Sequence, residues 1–84
     1  MPKYYPVYID ISGKKCVIIG GGDVAYRKAR GLMDADGLVT VISPEFCQEF
    51  MAEKGVTLKE KEYDESDIDG AVIVVASTNN EKVN

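Results

Sequence analysis

The chain has 84 residues, a formal net charge of −4 and no histidine. That length allows one small domain with one core, and the acidic balance argues against a nucleic-acid partner, whose phosphates attract basic surfaces. No apolar run approaches the roughly 20 residues that span a bilayer, and the start, MPKYYPVYID, lacks an apolar core of signal-peptide length, so no membrane and a cytoplasmic location are expected.

The elements follow in chain order. VYIDI, 7–11, alternates apolar and polar residues and predicts a half-buried strand. Tyr4, Tyr5 and Tyr8 cluster here and read as packing or subunit contacts. Ser12-Gly13 signals a turn. CVIIG, 16–20, is a short apolar run rich in β-branched residues, as in a strand covered on both faces. Asp23 to about Ala35 predicts a helix, with Ala25, Ala29, Leu32 and Met33 on one apolar face and Gly37 stopping it. LVTVI, 38–42, is a second buried strand. Ser43 as cap, Pro44 at the first helical position and Glu45 near the positive dipole end predict a second helix. Its face is Phe46, Cys47, Phe50 and Met51, and Lys54-Gly55 closes it. VTLKEKEY, 56–63, is a weaker strand near an edge, and DESDID, 64–69, an acidic loop with room for a short turn. AVIVVA, 71–76, reads as the most buried strand. Thr78 and Glu81 have capping-box spacing, so a helix should start there; with the last residue at Asn84, the chain reads as the front part of something longer. Cys16 and Cys47 sit in different elements and, without histidine, form no metal site; both read as buried free thiols.

Strands alternating with helices predict an α/β domain over residues 1–84, with a mainly parallel sheet and helices on both faces. Gly20-Gly21-Gly22-Asp23-Val24-Ala25 fits G-x-G-x-x-G/A between a buried strand and an amphipathic helix, the context of a Rossmann-like dinucleotide site. Gly20 permits the tight turn, Gly22 lets backbone approach a pyrophosphate, and Ala25 allows close helix–strand packing. The free N–H groups at the helix start then face the anion. Asp23 favours the helix dipole but must turn its charge away from that anion.

No acid ends the second strand to bind ribose hydroxyls; the sequence there is Ile42-Ser43-Pro44-Glu45, with a hydroxyl at Ser43 and a late acid at Glu45. No arginine stands there to meet a 2′-phosphate, which favours NAD over NADP. Thr78 follows the last strand and could line the cofactor cleft or simply cap a helix. Arg27, Lys28 and Arg30 read either as a solvated helix face or as an attractor of an anionic ligand.

The run YPVYIDISGKKCVIIGGGDVAYRKARGLMDADGLVTVISPEF resembles the opening of the precorrin-2 dehydrogenase family, which includes the N-terminal module of siroheme synthase. The later DIDGAVIVVASTNNEKVN resembles the same family's strand followed by a T-[DN]-x-x-x-VN run, and the resemblance covers essentially the whole chain. It implies oxidation of precorrin-2 to sirohydrochlorin with NAD as hydride acceptor, in a full-length homodimer. It also implies cofactor contacts at Asp23 and Val24 and at Pro44 and Glu45. The family's catalytic aspartate lies beyond the VN run, so no residue here is assigned to catalysis and the chain alone should be inactive. Some relatives also insert ferrous iron. The alternative is a nucleotide-sensing Rossmann module without chemistry; a methyltransferase would want the missing acid after the second strand.

Overall fold

The computed structural model describes residues 8–77. Four strands form one parallel sheet: β1 (Lys15–Ile19), β2 (Leu38–Ser43), β3 (Thr57–Glu60) and β4 (Ile73–Ala76), in the order β3-β2-β1-β4. Helix α1 (Asp23–Asp34) joins β1 to β2, and the short α2 (Gln48–Met51) joins β2 to β3. A 3-10 helix, Glu65–Ile68, lies on the way from β3 to β4. The chain winds outward from β1 to β3, then returns to the other side of β1. The carboxyl ends of β1 and β4 therefore flank a topological switch point, where open α/β sheets bind their ligands.

Alternation along each strand sends one set of side chains towards the helices. Cys16 and Ile18 of β1, Val39 and Val41 of β2, and Phe50 of α2 are buried together with Ala25 and Ala29 of α1. The two alanines let α1 lie close to the sheet, which no larger residue would allow. Phe50 is fully buried and meets Tyr26 and Phe46 edge-on, with ring centroids 5.2 and 5.6 Å away. Burial of such a side chain is worth about 1.5–3 kcal/mol, so this aromatic cluster is what fastens α2, and the loop before it, to α1. Burial pushes the Cys16 thiol pKa up, which keeps it protonated and inert. Cys16 and Cys47 are both free, Cys47 being only half-buried.

Four expectations from sequence need correction. Residues 8–11 form no strand: Tyr8 and Ile9 project into solvent, and only Ile11 is buried. Alternation specifies a face but supplies no ladder partner; instead the Asp10 carboxylate accepts the Ser12 N–H at 3.0 Å and opens a turn. Val7 lies outside the described residues. The end of α1 is set by Asp36, not Gly37. Asp36 takes the left-handed conformation (φ 64°), while the Asp36 and Gly37 amides donate to Met33 and Leu32. The second helix starts at Gln48 and not at Pro44, and Met51 is 63% exposed instead of sharing the buried face. Finally, β4 is an edge strand among the described residues. Ile73 and Val75 pack on the core, but Val72 and Val74 on the alternate positions stay 47% and 42% exposed. An all-apolar run shows that both faces can be covered, not that both are.

The acidic loop does hold a turn. Asp64 and Asp67 form a reciprocal capping box, and the buried Asp67 carboxylate accepts from Lys61 Nζ at 2.9 and 2.8 Å and from the Asp64 N–H at 2.8 Å. The Lys61 bond, then the Asp64 amide, hold its pKa below the usual carboxylate range despite burial. A lowered native pKa gives stability that is present above the unfolded value, about 3.9, and is lost as pH falls through the native one. Asp67→Asn should therefore lower Tm at pH 7 and flatten the fall of Tm between about pH 4 and 2. Parallel acid limbs for the two proteins in scanning calorimetry would refute this contribution.

Candidate functional site

The site is built where β1 gives way to α1. Gly20 is buried, its N–H donates to the Ile42 carbonyl at 2.9 Å, and its φ of 134° suits glycine and strains other residues. This conformation turns the chain sharply off the sheet. Gly22 is the N-cap of α1, and its carbonyl accepts the Tyr26 N–H at 2.9 Å. Its own side chain, a hydrogen, offers no cap. Among the described residues, no hydrogen bond uses the N–H groups of Gly21, Gly22, Asp23, Val24 or Ala25. Consecutive free donors at a helix start, with the positive end of its dipole, are what a pyrophosphate needs. The residues present therefore fit a dinucleotide's phosphates.

The sequence places Gly21 among the cofactor-loop residues with no packing role of its own, and it proves to be the point of closest approach. A Cβ there would be driven into the main-chain carbonyl of Glu45 and stand 2.9 Å from Ser43 Oγ. The Gly21 carbonyl also accepts the Cys47 N–H at 2.6 Å. The glycine loop and the segment after β2 are thus latched main chain to main chain, and Cys47, absent from the expected site, supplies the latch. Gly21→Ala should push the two loops apart, cost about 1–3 kcal/mol as an overpacking change, and weaken cofactor binding with it. An unchanged Tm in differential scanning calorimetry would contradict the latch.

The same contact explains the late start of α2. Ser43 is still in the ladder opposite Glu60, and its hydroxyl accepts the Glu45 N–H at 3.3 Å. The capping chemistry read from Ser43-Pro44-Glu45 therefore closes a turn, not a helix. The chain must first pass over the glycine loop, and helical bonding begins once the Cys47 amide is committed to Gly21.

Gly20, Gly21, Gly22, Asp23, Val24, Ser43, Pro44 and Glu45 accordingly share one rim at the carboxyl ends of β1 and β2. Ser43 is 8% exposed, and Pro44 and Glu45 are exposed. The β4 end joins this rim, since the Ser77 N–H donates to Ile19 at 2.8 Å. Thr78 lies outside the described residues. The Asp23 carboxylate, Cys47 Sγ and a Glu49 carboxylate oxygen lie within 4.8 Å of one another, so Asp23 leans towards α2. Further along the same side of the helix, the Tyr26 hydroxyl and Arg30 donate to one oxygen of Glu53 at 2.9 and 3.2 Å. That bond to Glu53 raises the Tyr26 pKa, and the Glu53 charge raises that of Arg30. Arg30 is thereby spent on holding α1 to the end of α2. Among the described residues, no helix is long and apolar enough to cross a membrane.

A family model described as "Putative NAD(P)-binding" matches residues 7–84. The siroheme synthase of Vesicomyosocius okutanii is 37% identical over 84 residues, which is 96% of this chain and 18% of that protein. The siroheme synthase of Pseudomonas fluorescens strain Pf0-1 is 35% identical over 85 residues, again 18% of its length. A solved structure named SirC, precorrin-2 dehydrogenase, superposes with a TM-score of 0.84 at 28% identity, covering 96% of this chain and 42% of the other. The chain thus spans less than a fifth of the curated relatives named here.

Proposed function

The chain belongs to the NAD(P)-binding family whose model it matches over residues 7–84, and from that premise we propose that it is the cofactor lobe of an NAD-dependent precorrin-2 dehydrogenase. The observation that carries this is the glycine loop: a run of free amides at the start of α1, latched to the β2 end and set at the sheet's switch point. NAD, when bound, supplies an acceptor for the hydride that leaves precorrin-2 as it becomes sirohydrochlorin. The lobe's own residues hold and orient. The amides of Gly21 to Val24 take the pyrophosphate, and Ser43 and Glu45, at the end of β2, take the adenosine ribose. Exposed Glu45 in that place and the lack of a nearby arginine favour the free 2′-hydroxyl of NAD over the phosphate of NADP.

The group that moves the substrate's proton is assigned to a part of the enzyme outside these residues, with a homodimeric, cytoplasmic enzyme as the working unit. The full-length protein should reduce NAD in the presence of precorrin-2, with the sirohydrochlorin spectrum appearing in step, and should prefer NAD to NADP. NAD binding without turnover of precorrin-2 would favour the nucleotide-sensing alternative. Turnover with NADP alone would overturn the ribose assignment.

A further inference from the structure

Helix α1 has three flanks. Ala25, Ala29 and Leu32 face the sheet, and Tyr26 and Arg30 face the α2 side through Glu53. The third flank carries Val24, Arg27 and Lys28, which follow one another at helical spacing, are all exposed, and line an open depression beside the first turns. Among the described residues the ion pairs are Arg30–Glu53 and Lys61–Asp67; Arg27 and Lys28 enter neither. Two adjacent cations without a carboxylate partner among the described residues stand out in a chain of net charge −4. At about 100° per residue, Val24 and Lys28 lie on the side of α1 away from Tyr26 and Arg30, hence towards β1 and β4, with Arg27 on the exposed crest beside them. If the adenosine half of a dinucleotide lies over the end of β2, its reactive half lies on this side.

We propose that the Val24–Arg27–Lys28 flank receives the periphery of the tetrapyrrole substrate, with Arg27 and Lys28 pairing its acetate and propionate carboxylates and Val24 packing against the macrocycle. The proposal rests on the precorrin-2 dehydrogenase reading above. Its chemistry is complementary: a largely apolar ring with an ionised rim meets one apolar side chain beside two cations. The cofactor's phosphates do not compete for these groups. They belong to the amides at the helix end, and Lys28 stands six residues on from Gly22, about 9 Å along the axis at 1.5 Å per residue.

The test is the double charge reversal Arg27→Glu/Lys28→Glu in the full-length enzyme, beside the conservative pair Arg27→Lys/Lys28→Arg. Both positions are exposed, so the fold should survive, and circular dichroism checks it. The reversal should raise the KM for precorrin-2 and the Kd for sirohydrochlorin about tenfold or more. It should reverse the sign of their salt dependence, since salt now screens a repulsion, and leave the Kd for NAD unchanged; the conservative pair should stay near wild type. An unchanged KM for precorrin-2 in a folded reversal variant, with an active wild type, overturns this inference alone. An equal loss of NAD affinity overturns it too, assigning the cations to the cofactor. A wild-type enzyme that neither turns over precorrin-2 nor binds sirohydrochlorin removes the reading beneath it.

Discussion

Gly22→Asp is expected to lower NAD affinity by roughly 100-fold or more while leaving the fold intact, an effect of at least about 2.7 kcal/mol on binding. Gly22 is the N-cap of α1, with φ −92° and ψ −168°, a conformation open to any residue. Aspartate is a good N-cap, better than glycine by about a few tenths of a kcal/mol, and the position lacks a side-chain cap now. The substitution should therefore hold or slightly raise Tm. Its carboxylate would take the free amides for itself and set a negative charge where the pyrophosphate must sit. Charge-assisted bonds of this kind are worth about 1.5–3 kcal/mol each, so losing them and adding repulsion should abolish measurable binding. Calorimetric titration with NAD, beside a thermal melt, separates the two effects. Retained affinity in a folded variant would refute the pyrophosphate assignment.

Phe50→Ala carries the largest expected cost to stability, about 3–5 kcal/mol. The ring is fully buried against Tyr26 and Phe46, and a domain of this size has only about 5–15 kcal/mol in total. A fall in Tm of some 15 °C or more follows, since each kcal/mol shifts a small domain by about 4–8 °C. The consequence for the site is indirect. Without Phe50, α2 loses its hold on α1, and the Ser43–Cys47 segment loses its support over the glycine loop. Met51→Ala, one residue along the same helix, should shift stability by no more than about 0.5 kcal/mol, because Met51 is 63% exposed. Comparable losses for the two variants would contradict this packing.

That contrast marks how far the sequence could be read. Both central strands, the span of α1 and the edge position of β3 follow from local signals: β-branched apolar runs, helical spacing of Ala25, Ala29 and Leu32, and the charges of Thr57–Glu60. The phosphate loop was legible because its residues are consecutive. Its role for Gly21 was not, since the atom that excludes a side chain there belongs to Glu45, distant in the chain. Ser43-Pro44-Glu45 carries genuine capping chemistry, and the hydroxyl does accept the Glu45 amide. The helix is nevertheless delayed by a main-chain bond from Cys47 to Gly21, which no local pattern encodes. The exposure of Val72 and Val74 was hidden for the same reason: periodicity reports what a strand could bury, and the neighbours decide what it does bury.

The central claim is that the glycine loop at the start of α1 holds the cofactor's pyrophosphate, with the end of β2 beside it. An NMR titration of the 15N-labelled chain with NAD tests this most directly, residue by residue. The amides of Gly21 to Val24 should move first and furthest, with Ser43 and Glu45 following at the same saturation and the β3 and Met51 end unmoved. Saturable shifts confined to another part of the chain, or none at millimolar NAD, would contradict it.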